Sequence, residues 1–173
     1  MEFNEIIKTR RSIRKFKDKN VEMELIEQII LNGIWAPSAG NIQSWDVIIV
    51  QENENKSKIS KAAYMRDFIS KSQFILVICA NMGRSAEVYG ERGRDLYCIQ
   101  DADAATQNML LTAHHLGLGA CWVGSFNEDA VCDILDIPKS VRPVALIPIG
   151  YPDEKPYPPT RRGIDEVIHM EKY

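Results

Sequence analysis

The sequence predicts an α+β fold. Three observations carry that expectation. Trp45–Val50 and Phe74–Ala80 are short apolar runs rich in β-branched residues, the signature of strands. Met23, Ile26, Ile30 and Ile34 recur three and four apart, on one face of a helix from about Glu22 to Trp35. The elements follow no regular β-α-β alternation, which disfavours a doubly wound parallel sheet.

The elements follow in order. Asn4 is placed to cap a short first helix carrying Ile6 and Ile7. Pro37 stops the second helix. Asn53 to Tyr64 reads as a polar helix. Residues 81–93 read as a loop, because Gly83, Gly90 and Gly93 stand among charges. The longest helix is expected from about Asp95 to Leu116. Leu96, Ile99, Ala102, Ala105, Met109, Ala113 and Leu116 trace its apolar stripe, and Gly117 ends it. Ala120–Val123 reads as a third strand. Asn127 caps a helix whose Val131, Ile134 and Leu135 face inward, and Pro143–Tyr151 reads as a fourth strand bent at Pro148. Beyond Pro152, prolines at 156, 158 and 159 favour an extended arm, with Ile164, Val167 and Ile168 to pack it onto another surface. The whole, residues 1–173, is expected to form one domain, with 152–173 as the arm.

Composition narrows the function classes. Hydrophobic residues at 45% and charged residues at 26% are ordinary globular usage, which excludes a wholly disordered chain. A net charge of −3 argues against a dedicated nucleic-acid binder. The cysteines, Cys79, Cys98, Cys121 and Cys132, form no C-x-x-C pair and are expected to be reduced, buried thiols. No apolar h-region follows the first residues, and no apolar run approaches the ~20 residues that span a bilayer. The expected setting is the cytoplasm.

Three segments carry candidate chemistry. Arg10, Ser12 and Arg14 alternate, so an extended backbone puts all three side chains on one side. Two guanidiniums and a hydroxyl suit a phosphate, but taken alone the cluster reads first as a solvated basic face after a helix C-terminus. The loop Ala36–Trp45 is small and rich in amides and hydroxyls. Asn41 and Gln43 each donate and accept, which suits the edge of a flat heterocycle, as it also suits a plain helix-to-strand connection. Gly117–Phe126 follows a helix and precedes a strand, the reverse of the dinucleotide fingerprint. Gly124 either exposes backbone to a ligand or makes a tight turn. His114 and His115 are adjacent and share no helix face, and Asp101 and Asp103 lack the companions a metal needs.

Taken together and in register, these segments resemble the FMN-dependent nitroreductase family across almost the whole chain. The matching pieces are Arg10-Arg11-Ser12-Ile13-Arg14, Pro37–Trp45, Gly117–Phe126, Ile149-Gly150-Tyr151-Pro152 and Arg161–Val167. The resemblance implies a compact member with a mixed, mainly antiparallel sheet flanked by helices. It implies an intertwined homodimer that exchanges C-terminal arms, with FMN sites at the subunit interface. Arg10, Ser12 and Arg161 match positions that hold the FMN phosphate, Arg11 lies within that motif, and Arg14 matches a basic residue near the pyrimidine edge. Pro37, Ser38, Ala39 and Asn41 match contacts to the ring from the partner subunit, and Trp122, Val123 and Gly124 match its other wall. Around Tyr64–Phe68 only Arg66 supplies a cation. The implied activity is a ping-pong oxidoreductase: NADH or NADPH reduces FMN, and a nitroaromatic, quinone or similar small acceptor reoxidises it. The flavin carries the chemistry, so no catalytic acid, nucleophile or metal is implied. An FMN-binding carrier or sensor without turnover is the alternative.

Overall fold

Phe74–Asn81 form the central strand, β2, of a four-stranded antiparallel sheet. The structure, a computed structural model, describes residues 2–173. Every β2 side chain from Phe74 to Ala80 is buried, which explains why its sequence shows no alternation. Phe74, Leu76, Ile78 and Ala80 face one core; Ile75, Val77 and Cys79 face the other.

The strand order is β1-β2-β4-β3, with β1 at Trp45–Val50, β3 at Gly119–Ala120 and β4 at Val141–Gly150. A parallel bridge from Ser12 to Ala120 extends the β3 edge and gives the sheet its mixed character. The expected bend at Pro148 is absent: Pro148 pairs with Ile75 in regular register. The irregularity falls between Ile78 and Cys79, opposite Ala145 and Pro143. The expected strand Ala120–Val123 is shorter, and only Val123 rejoins the sheet, through Leu146.

One face of the sheet carries α2 (Met23–Ile34) and α6 (Cys98–His115). The other carries α3 (Asn53–Ala62), a short α4 (Asp67–Ser70) with no counterpart in the sequence reading, and α7 (Glu128–Leu135). Asn127 caps α7 as expected, accepting from the Ala130 N–H at 3.0 Å. Asn4 does not cap α1 (Phe3–Thr9); the helix starts two residues earlier, after Glu2. On α2 the buried positions are Ile26, Ile29 and Gly33. Met23 and Ile34 are exposed, so the inward face is rotated from the expected one. The α6 stripe holds at Ala102, Ala105, Met109 and Ala113. Gly117, at φ 77°, ends α6 with the Leu118 N–H on the Ala113 carbonyl and its own N–H on that of His114, a left-handed stop suited to glycine. No helix among the described residues is long and apolar enough to cross a membrane.

Residues 81–93 are not a loop. Asn81 caps α5 (Met82–Arg92) by accepting from the Arg84 N–H, and a π-turn, Gly93–Tyr97, leads into α6. The glycines that read as breakers have other uses. Gly90 puts a sharp kink inside α5 (φ 57°, ψ −139°), and Gly93 lets the two legs touch. A Cβ at Gly93 would lie 2.4 Å from the Ser85 carbonyl oxygen. Three cysteines are buried and Cys132 is half-buried; burial pushes the Cys79 thiol up to about 12.

Asp101, on α6, pins the Ala36–Trp45 loop. Its carboxylate accepts from the Ala39 N–H (2.9 Å), the Ser44 N–H (3.3 Å) and the Ser44 hydroxyl (2.6 Å). The loop needs pinning, because Asn41 and Gln43 both hold positive φ (58° and 54°). Replacing Asp101 by Ala strands two N–H groups and a hydroxyl. It is expected to cost about 2–4 kcal/mol, read as a lower urea midpoint. An unchanged midpoint would contradict this role.

Candidate functional site

After α1 the chain runs extended, because Ile13 turns into the core while its N–H donates to the Ala120 carbonyl (3.0 Å). The neighbours are therefore presented outward. Arg10, Arg11, Ser12, Arg14 and Arg161 line one cavity of about 290 Å³, closed on one side by Pro156, Tyr157 and Pro159 of the tail. Among the described residues, none of these four arginines is in a salt bridge. Burial, then Arg11, then Arg161, lowers the pKa of Arg10. The Arg11 guanidinium donates to the Lys8 and Arg10 carbonyls, both at 2.7 Å, and so braces the turn after α1.

A second cavity, of about 300 Å³, is lined by Arg14, Arg66, Phe68, Cys121, Trp122, Val123, Gly124 and Ser125. Arg14 belongs to both, so the two adjoin. Arg66 donates to the Ser125 carbonyl (2.8 Å) and fixes the segment after Gly124. Burial drives the Cys121 thiol upward, opposed by Arg14 and Ser12 beside it. A cationic cavity without a salt bridge among the described residues, opening on a slot lined by Trp122, Val123 and Gly124, fits a phosphorylated planar ligand in its donor chemistry.

The structure thus brings together Arg10, Arg11, Ser12, Arg14 and Arg161, and sets Trp122, Val123 and Gly124 beside them. It does not bring Pro37, Ser38, Ala39 or Asn41 to either cavity. That loop lies against α6 and α5, where a Cβ at Gly40 would lie 2.5 Å from the Tyr89 hydroxyl. Sequence reasoning missed two residues. Asp101 was weighed only as a metal ligand; its place on the buried side of α6 was the available signal. Glu154 carried no signal of spacing, because its partners lie at the other end of the chain.

A further cavity, of about 520 Å³, is also lined by Arg10 and Arg11. Its walls are mostly apolar and include Pro152, Pro156 and Pro158, so it is the underside of the arm. His114 reaches it, with Nε2 2.8 Å from the Thr9 hydroxyl. Burial, then Arg10 and Arg11, holds this imidazole below its ordinary 6.5; Glu5 opposes them weakly. The unfolded chain therefore takes up this proton first. The stability His114 contributes is full above about pH 6.5 and is lost as pH falls through the lowered folded value. His114→Asn is expected to flatten the fall in stability below that pH, measured by urea melts across the range. Equal falls in both proteins would contradict the sign.

Comparison with known proteins agrees with this geometry. Residues 7–66 and 60–151 match the family described as the Nitroreductase family. A Methanothermobacter thermautotrophicus protein named as an NADH dehydrogenase/NAD(P)H nitroreductase is 37% identical over 178 residues, covering 100% of this chain and 88% of its own. A Bacillus subtilis protein named FMN reductase [NAD(P)H] is 32% identical, covering 98% and 75%. A Parabacteroides distasonis crystal structure, named like the first relative, superposes with a TM-score of 0.87 at 29% identity, covering 98% of both chains. Matches of this extent run through the arginine segment, the pinned loop and the sheet alike, and the chain belongs to the nitroreductase family.

Proposed function

We propose that the chain is an NAD(P)H-dependent FMN oxidoreductase working as a homodimer. The observation that carries this is the set of arginines around Ser12, free of salt bridges among the described residues and opening onto the slot lined by Trp122, Val123 and Gly124. Bound FMN supplies the electron transfer between NAD(P)H and an oxidised acceptor such as a nitroaromatic or quinone.

The chain's own residues bind and orient. Arg10, Ser12 and Arg161 hold the phosphate, which approaches two negative charges and needs several cations. Arg14, at the junction of the cavities, stabilises negative charge at the pyrimidine edge, with Arg66 as a second cation on that side. Val123 and Gly124 offer backbone walls, and Trp122, 37% exposed, adds an aromatic one. In the finer reading a single open slot serves donor and acceptor in turn, which is a ping-pong cycle.

A second copy completes the site. Pro37, Ser38, Ala39 and Asn41 stand away from their own chain's slot, and in this reading they reach the ring bound by the partner subunit. Leu31 and Ile34 on α2, Trp35 just after it, and Ile164, Val167, Ile168 and Met170 in the arm are exposed apolar groups of the kind an interface covers.

Arg10→Ala is expected to weaken FMN binding about 10- to 100-fold by fluorescence titration, since a charge-assisted phosphate bond is lost; unchanged affinity would contradict the clamp. Removing residues 156–173 is expected to give a monomer by light scattering. A truncated chain that stays dimeric would overturn arm exchange. For the activity itself, NAD(P)H should reduce the bound flavin rapidly without oxygen, and a quinone should reoxidise it. Binding without reduction would favour a carrier or sensor.

A further inference from the structure

Glu154 is a carboxylate beside the cation cluster that binds backbone instead of guanidinium. Its Oε1 accepts from the Arg14 N–H and from the Lys15 N–H, the latter at 3.0 Å. Two successive N–H groups converging on one oxygen form a small anion-binding concavity. Around it the tail and the arginine segment make a short antiparallel ribbon. Lys17 N–H donates to the Tyr151 carbonyl and Asp153 N–H to the Lys15 carbonyl, both at 2.9 Å, and Phe16 bridges Pro152. Lys15 Nζ lies 3.3 Å from Asp153 Oδ2.

The two strands of this ribbon adjoin the two parts of the cation cluster. Arg10, Ser12 and Arg14 lead into one; Arg161 follows the other. Among the described residues, every hydrogen bond and salt bridge made by residues 155–173 stays within that segment. Glu154 is therefore the last polar tether before Arg161.

We propose that Glu154 is a positioning residue for phosphate recognition: it locks the Arg14–Lys15 backbone to the root of the arm, so that Arg161 and the Arg10–Arg14 side chains meet on one anion. This rests on the FMN reading above. Because Glu154 occupies the N–H groups of Arg14 and Lys15, the phosphate is left to the side chains. Its negative charge opposes the ligand, but the oxygen is already satisfied by two donors and arginines outnumber it.

The test titrates FMN and riboflavin, which lacks the phosphate, into the full chain, Glu154→Ala and Glu154→Gln. Glu154 is exposed, so both variants are expected to fold. Glu154→Ala should weaken FMN about tenfold, the cost of having to order one freed arginine side chain on binding, and leave riboflavin unchanged. Glu154→Gln keeps an acceptor oxygen and should restore most of the loss. Unchanged or tighter FMN binding in both variants would overturn the proposal. So would equal weakening of FMN and riboflavin, which marks a general structural role. A wild-type chain that binds neither flavin is a different failure, and overturns the FMN reading together with this one.

Discussion

Four guanidinium groups crowd one cavity, and their mutual repulsion is the constraint around which the site is arranged. Arg10, Arg11, Arg14 and Arg161 share that space without a salt bridge among the described residues. Such a cluster persists only if the backbone beneath it is fixed by other means. The Ser12–Ala120 bridge, the burial of Ile13 and the ribbon between residues 15–17 and 151–153 supply that fixing. In the proposed reading an arriving phosphate relieves a repulsion already present.

The second half of the site depends on the sheet. β2 is buried on both faces and aligns β1 and β4, so the loop feeding β1 and the segment after β3 have fixed positions. Asp101 then clamps the Ala36–Trp45 loop to α6 in a conformation with positive φ at two non-glycine residues. Loop and arginine cavity are each rigidly placed but stand apart on one chain. That separation is why the functional reading calls for two copies.

Legibility in the sequence followed the range of the interaction. The continuous apolar run of β2 and the alternation of Arg10, Ser12 and Arg14 are local patterns, and both read correctly as a strand and as one shared face. The α5 helix did not read, because Gly83, Gly90 and Gly93 look like breakers when their use in a kinked helix is invisible. The bend assigned to Pro148 failed for a similar reason: proline punctuates locally, whereas the bulge is set by cross-strand register. Asp101 and Glu154 act on backbone groups 57 to 62 and 139 to 140 positions away, which no spacing rule reaches. Only the family resemblance tied Arg161 to the N-terminal cluster in advance.

The central claim is that this cavity holds the phosphate of FMN. The most direct measurement is the visible absorption spectrum of the purified full chain, desalted after incubation with FMN. The account predicts an oxidised-flavin band that elutes with the protein. A colourless protein, with all the flavin in the small-molecule fraction, would contradict it.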